Sequence, residues 1–399
     1  MNDKQGSAAQ RDARVRLGPL SDLTVLEFAG LGPGPFAAMM LADMGARVIR
    51  VERPARPGSG GLAKMIAADV LSRGRESIAL DLKRDGAREV VLRLVARADA
   101  LIEGFRPGVM ESLGLGPDTC LARRPALVYG RATGWGQDGP LAQAPGHDIN
   151  YTALVGALHT IGRRDAPPTV VPGMVGDFGG GGMLLAFGLL AGIHHARASG
   201  RGQVVDAAVC DGAALLNGLQ QGWHAAGLWS GERGTNMGDG GAHFYDVYEC
   251  ADGRYISVGA IEAPFYQALR RLCGLDDAAF DAQWDAARWP GLKDRVAAVF
   301  RRKTRDEWCS LLEGSDACFA PVLDLDEAPR HPHNVARATF AEVGGVMQPA
   351  PAPKFSATPA GACAPVGATG AETLDILREL GLGAEEIASL TESGLIAPG

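Results

Sequence analysis

Leu23-Thr-Val-Leu-Glu-Phe28, the step Gly30-Leu-Gly-Pro-Gly-Pro35 and the run Arg47-Val-Ile-Arg-Val-Glu52 decide the fold. The two short apolar runs predict strands, and Phe36–Met44 between them has helical composition. A strand, a helix and a second strand in this order open a parallel α/β sheet. Working outward, Ala87–Ala96 predicts another helix and Ala100–Glu103 another strand. Leu127–Ala132 predicts a strand running into a Gly-rich turn, Met183–Ala198 a long helix, and Gln203–Val209 a strand leading into a helix. Beyond a Gly-rich stretch, Tyr245–Cys250 and Tyr255–Gly259 flank Asp252-Gly253, which predicts a hairpin.

At 399 residues the chain exceeds what one hydrophobic core usually organises, so two domains are expected. Composition predicts a loose tail over 1–18, a large domain over 19–230, a linker over 231–243, a small domain over 244–340 and a C-terminal segment over 341–399. A hydrophobic fraction of 46% with 21% charged residues excludes disorder of the whole chain. The net charge of -7 gives no general attraction to nucleic acid or to anionic membranes. The 7 cysteines form no C-x-x-C pair, which suggests neither a disulfide framework nor a zinc site and fits the cytoplasm. The start of the chain lacks an apolar signal core, and Met183–Ile193 is too short a run to span a bilayer, so no membrane association is expected.

Gly30–Pro35 after a strand, with Glu52 ending the next one, suggests a dinucleotide site. Against that, Pro35 replaces the third glycine, and Pro33 and Pro35 remove N–H donors that a phosphate cradle needs. A tight turn is the simpler reading. Arg50, Arg53, Arg56, Arg73, Arg75 and Arg106 cluster near strand ends and suit a phosphate-rich ligand, although a solvated charged surface explains them too. His147 stands in the loop Ala144–Tyr151, between a glycine and Asp148. Asp177 precedes the Met183 helix, where capping is the plain explanation, and Glu262 follows the hairpin. Together they supply a histidine and two carboxylates, the parts needed for acid/base chemistry at one carbon. The other histidines, including His194-His195 and His331-Pro-His333, have no companion ligands at metal spacing, and no G-x-S-x-G elbow exposes a serine nucleophile.

The sequence resembles the family III CoA-transferases, and within them the branch that racemises α-methylacyl-CoA. The resemblance is carried by Gly32–Phe36, Arg47–Pro54, Ala79–Lys83, Ile102–Gly108, Thr133–Gln137, Gly146–Tyr151, Gly176–Gly180 and Val258–Glu262. It implies a doubly wound, Rossmann-like large domain that holds CoA, and a smaller α+β domain on long linkers. It also implies a C-terminal segment returning to the large domain, and an interlocked homodimer whose active sites lie between the large domain of one chain and the small domain of the other. By the same resemblance His147 and Asp177 are the two bases and Glu262 supports His147. Arg53, the turn Leu71, Ser72, Arg73 and Gly74, and the loop Gly146, Asp148, Ile149, Asn150 and Tyr151 would bind the CoA thioester, with Arg106 near CoA. Pro172–Val175, Ser112 and His243 depart from the family pattern.

The expected reaction is racemisation of a 2-methylacyl-CoA thioester by two-base proton transfer through an enolate, with no metal, flavin or nicotinamide. The nearest alternative is a CoA-transferase with Asp177 as nucleophile, which does not need His147 or Glu262. A non-catalytic acyl-CoA binder would not need the proton-transfer residues at all.

Overall fold

The computed structural model describes residues 16–54, 69–361 and 363–397. Most of the tail expected over 1–18, and Arg56 of the basic cluster, lie outside the described residues. The chain divides into two compact units. One takes the described residues up to Tyr151, Gly173–Ala213 and the segment from Phe340; the other takes Thr152–Pro172 and Ala214–Thr339.

The first unit is built on a six-stranded parallel sheet: β1 (Thr24–Phe28), β2 (Arg47–Glu52), β3 (Arg75–Ala79), β4 (Ala100–Glu103), β5 (Val128–Thr133) and β6 (Gln203–Ala208). Their order is β3-β2-β1-β4-β5-β6, the doubly wound arrangement expected from the opening strand, helix and strand. Apart from Glu27 and Glu103, the buried residues of β1 and β4 are apolar on both faces, as a sheet covered on both sides requires. Helix α1 (Pro33–Asp43) and helix α3 (Leu184–Ser199) cover one face through Ala37, Ala38, Leu41, Leu185, Leu189 and Ile193. Helix α2 (Ala87–Val95) and the two C-terminal helices Thr373–Glu379 and Ala384–Glu392 cover the other, with Val91, Val95, Ile376, Leu377 and Ile387 in its core.

β3 is a sheet edge, and the C-terminal segment closes it. The Glu372 carboxylate accepts the Ser77 N–H at 2.8 Å, Thr373 Oγ1 accepts the Ala79 N–H at 3.0 Å, and Leu80 bridges to Ile396. A covered edge offers no template to another chain.

The long helix departs from expectation. It begins at Met174, with Met174–Met183 wound as a π-helix before α3 continues to Ser199. Its 26 residues are long and apolar enough to cross a membrane by length and composition, which corrects the reading of a short run. Leu185, Ala186, Leu189, Ile193 and Ala196 nevertheless lie in the core against the sheet.

In the second unit, Tyr245–Glu249 and Tyr255–Gly259 form the expected antiparallel hairpin, and Phe319–Pro321 adds a third strand. Helices Ala263–Cys273, Trp289–Phe300 and Arg305–Leu312 pack on it around Phe244, Tyr266, Phe300 and Trp308.

Candidate active site

In a doubly wound sheet, a crevice opens where the strand order reverses, beyond the C-terminal strand ends. Here that point lies between β1 and β4, and a cavity of about 620 Å³ occupies it. Leu31–Pro33 line it after β1, Gly104–Pro107 after β4, Thr133–Trp135 after β5, and Val209 after β6. His147, Asn150, Tyr151 and Asp177 also line it. Two of the three acid/base candidates therefore share one cavity.

His147 is exposed, in a turn that locks itself. Its N–H donates to Asn150 Oδ1 at 3.1 Å, and its carbonyl accepts the Asn150 N–H at 2.8 Å. The Tyr151 hydroxyl donates to the Gly146 carbonyl, and the Tyr151 ring stands edge-on to Trp135, 4.7 Å between centroids. This aromatic brace fixes the loop to the end of β5.

Asp177 is not a cap. Gly173 takes the N-cap position, and Asp177 lies inside the first turn, its N–H donating to Asp148 Oδ1 at 2.9 Å. The glycines that lower helix propensity here are what let the segment approach its neighbours. A Cβ on Gly180 would sit 2.6 Å from the Ala213 nitrogen, and one on Gly32 would sit 2.8 Å from Asp177 Oδ2. Gly32 also has φ +69°, so the turn after β1 requires glycine on both counts. Burial pushes the Asp177 carboxyl up to about 6; the Asp148 charge adds to the rise and His147 opposes it. A carboxyl held there changes protonation close to neutrality, as a general acid or base needs.

Glu262 belongs to the second unit, where it is the exposed N-cap of helix Ala263–Cys273. Among the ligand candidates, Arg53 and Arg106 are exposed, and Arg106 lines the cavity. The Arg106 loop is set by Glu103, buried at the end of β4, which accepts the Phe105 N–H and the Arg131 Nε–H at 2.8 Å each. Asp148 and Tyr151 are half-buried, and Ile149 and Asn150 exposed.

Arg50, Arg73 and Arg75 turn inward, a third outcome beside phosphate binding and a solvated surface. Arg73 is 2% exposed, forked on Asp43 and bonded to Gln348 Oε1 at 2.7 Å. Arg75 pairs with Glu27 at 3.0 Å and donates to the carbonyls of Leu71, Arg73 and Pro35. Arg50 donates to Ser72. These buried cations hold the Leu71–Gly74 turn, in which Leu71 and Gly74 stay half-buried and Ser72 is buried. Gly32 and Trp135, within the motifs Gly32–Phe36 and Thr133–Gln137, line the cavity as well, and their place just beyond strand ends is the signal that marks them. Among the described residues, no group of three or more His, Cys, Asp or Glu is placed to hold a metal ion.

The model of CoA-transferase family III matches residues 20–373. The chain is 44% identical to the alpha-methylacyl-CoA racemase of Mus musculus over 379 residues, covering 94% of this chain and 97% of that protein. It is 41% identical to the enzyme of the same name from Homo sapiens, with the same coverage. Its fold is similar to the crystal structure of a CAIB/BAIF family protein from Brucella suis, with a TM-score of 0.78 and 24% identity over 92% of this chain and 100% of that one.

Proposed function

The chain belongs to CoA-transferase family III, and we propose that it racemises 2-methylacyl-CoA thioesters by moving the α-proton between His147 and Asp177. The observation that carries this reading is the pair itself: an exposed imidazole and a carboxyl raised to about 6, facing one cavity at the switch point. The 41–44% identity to two alpha-methylacyl-CoA racemases supports racemisation over CoA transfer.

A thioester α-proton is weakly acidic. A positioned base contributes about 10²–10⁴-fold, and enzymes reach about 10⁶-fold or more, so the enolate oxygen also needs stabilising. A preorganised donor there is worth about 3 kcal/mol, and the main chain at the Gly-rich start of the long helix, whose first N–H groups have no partner within the helix, is the group assigned to it. One base takes the proton, the conjugate acid on the opposite face returns one, and the centre inverts. The support of His147 is assigned to Glu262 across the dimer, from the small domain of the other chain. The chemistry calls for no metal, flavin or nicotinamide. In D₂O, with a single enantiomer of a 2-methylacyl-CoA and no acceptor acid, the protein should place deuterium on the α-carbon and form the other enantiomer. An unexchanged α-carbon, with CoA moving to an added acid, would make Asp177 a nucleophile instead.

Arg53 and Arg106 are assigned to the phosphates of CoA, supported by their exposure and by the place of Arg106 in the cavity wall. Arg106→Ala should raise KM for the CoA ester about tenfold, the size of one charged hydrogen bond, with kcat at saturation little changed. An unaltered KM would return Arg106 to the surface.

The working molecule is a homodimer in the cytoplasm, not a membrane protein. Met183, Phe187 and Leu190 form an exposed apolar stripe on the long helix of the first unit, and the second exposes Leu216, Leu219 and Leu228. Contiguous exposed apolar surface marks an interface. A monomer in sedimentation that retains full activity would refute the dimer.

A further inference from the structure

His147 and Asp177 arrive from separate segments, and one side chain joins them. Asp148 follows His147 directly, and its Oδ1 accepts the Asp177 main-chain N–H at 2.9 Å across 29 residues of sequence. The first N–H groups of a helix lack partners within it. In this π-helix the first internal bond runs from the Phe178 N–H to the Gly173 carbonyl at 2.8 Å, so the Asp177 N–H is the last donor before the ladder begins. We propose that Asp148 is a positioning residue for the racemisation, tying the Asp177 turn to the loop of His147 and setting a negative charge beside the Asp177 carboxyl. The inference rests on the two-base reading and adds a residue that follows one base in the chain and holds the other by its main-chain N–H.

The charges around Asp177 make this contribution separable. Asp148 and His147 face it from the loop, and Tyr151 and Arg106 are the other ionisable groups of the cavity wall. The turn after β1 and the start of α1 bring Gly32, Pro33 and Phe36 against the π-helix, none of them ionisable; the residues after β6 bring Val209, Gly212 and Ala213, with Cys210 and Asp211 between them, of which Cys210 interacts with Tyr151. Burial raises the Asp177 carboxyl most, and Asp148 is the group whose charge adds to it. A like charge disfavours ionisation, so removing it must move the Asp177 titration to lower pH.

Two variants test this. Asp148→Asn keeps a carbonyl oxygen to accept the Asp177 N–H but carries no charge; Asp148→Ala removes both. The Asp177 carboxyl is followed by ¹³C NMR of aspartate-labelled protein, its signal assigned by its loss in Asp177→Asn. In Asp148→Asn the midpoint should fall, because the like charge is gone, and the acid limb of kcat/KM should follow it down. In Asp148→Ala kcat should fall about 10- to 100-fold, the cost of a misplaced catalytic group. An unmoved Asp177 midpoint in Asp148→Asn overturns the proposal, and so does an Asn variant as slow as the Ala variant. Should Asp148→Ala fail to fold, the titration of Asp148→Asn decides alone. The titration needs no turnover, so it reads Asp148 even if the wild type exchanges no α-proton, an outcome that sinks only the racemase reading.

Discussion

His147→Ala should slow the interconversion of 2-methylacyl-CoA enantiomers by about 10²–10⁴-fold, the usual contribution of one general base. The carboxyl of Asp177 remains in this variant, raised to about 6 by burial and by Asp148. It should still draw the proton from one enantiomer and exchange it with solvent. In D₂O the variant therefore labels one enantiomer without inverting it. Asp177→Asn should show the complementary defect, since an amide keeps the shape and loses the ability to take a proton. Chiral chromatography with mass spectrometry separates label uptake from inversion. Equal loss of both for either enantiomer in His147→Ala would mean that the two residues do not divide the faces between them.

The largest stability effect is expected at Arg75. Its partner Glu27 is fully buried in β1, at 0% exposure, and the guanidinium also serves the carbonyls of Leu71, Arg73 and Pro35. Arg75→Met keeps the length of the side chain and leaves the Glu27 carboxylate in the interior without a cation. Breaking a buried pair from one side costs about 3–5 kcal/mol, read here as a lower urea midpoint by circular dichroism. Glu27→Leu added to Arg75→Met should recover part of it, because the stranded charge is gone while the three carbonyls stay unserved. A loss below about 1 kcal/mol in the single variant, the scale of an exposed pair, would show that Glu27 is held by something other than Arg75.

These residues also explain what was legible in the sequence. β1 and β4 announce themselves because both faces are covered and each is a short apolar run with a single glutamate. β3 reads Arg-Glu-Ser-Ile-Ala, and nothing in that string says strand. It is a strand because its polar side chains find buried partners: Arg75 on Glu27 and Ser77 on Glu52. The same physics hides the arginines, since sequence shows a basic cluster but not which way each side chain turns. Met174–Met183 is hidden differently. Five glycines argue against a helix, yet here they permit main chain to pack on main chain, Gly180 against Gly212. His147 and Asp177 were legible through motifs; that Asp148 reaches from one to the other was not, because 29 residues and a passage through the second unit separate the partners.

The closure of the β3 edge sets a timetable for synthesis. Ala79 must wait for Thr373, which lies 294 residues further along the chain, before its N–H has its partner. At about 5–20 residues per second a ribosome takes roughly 15–60 s to cover that interval. For that time the nascent first unit carries a bare strand edge, open to any neighbouring chain on the same polysome. A chain cut short before Thr373 never outgrows that state, so the final helices of the protein act as its own late-arriving chaperone.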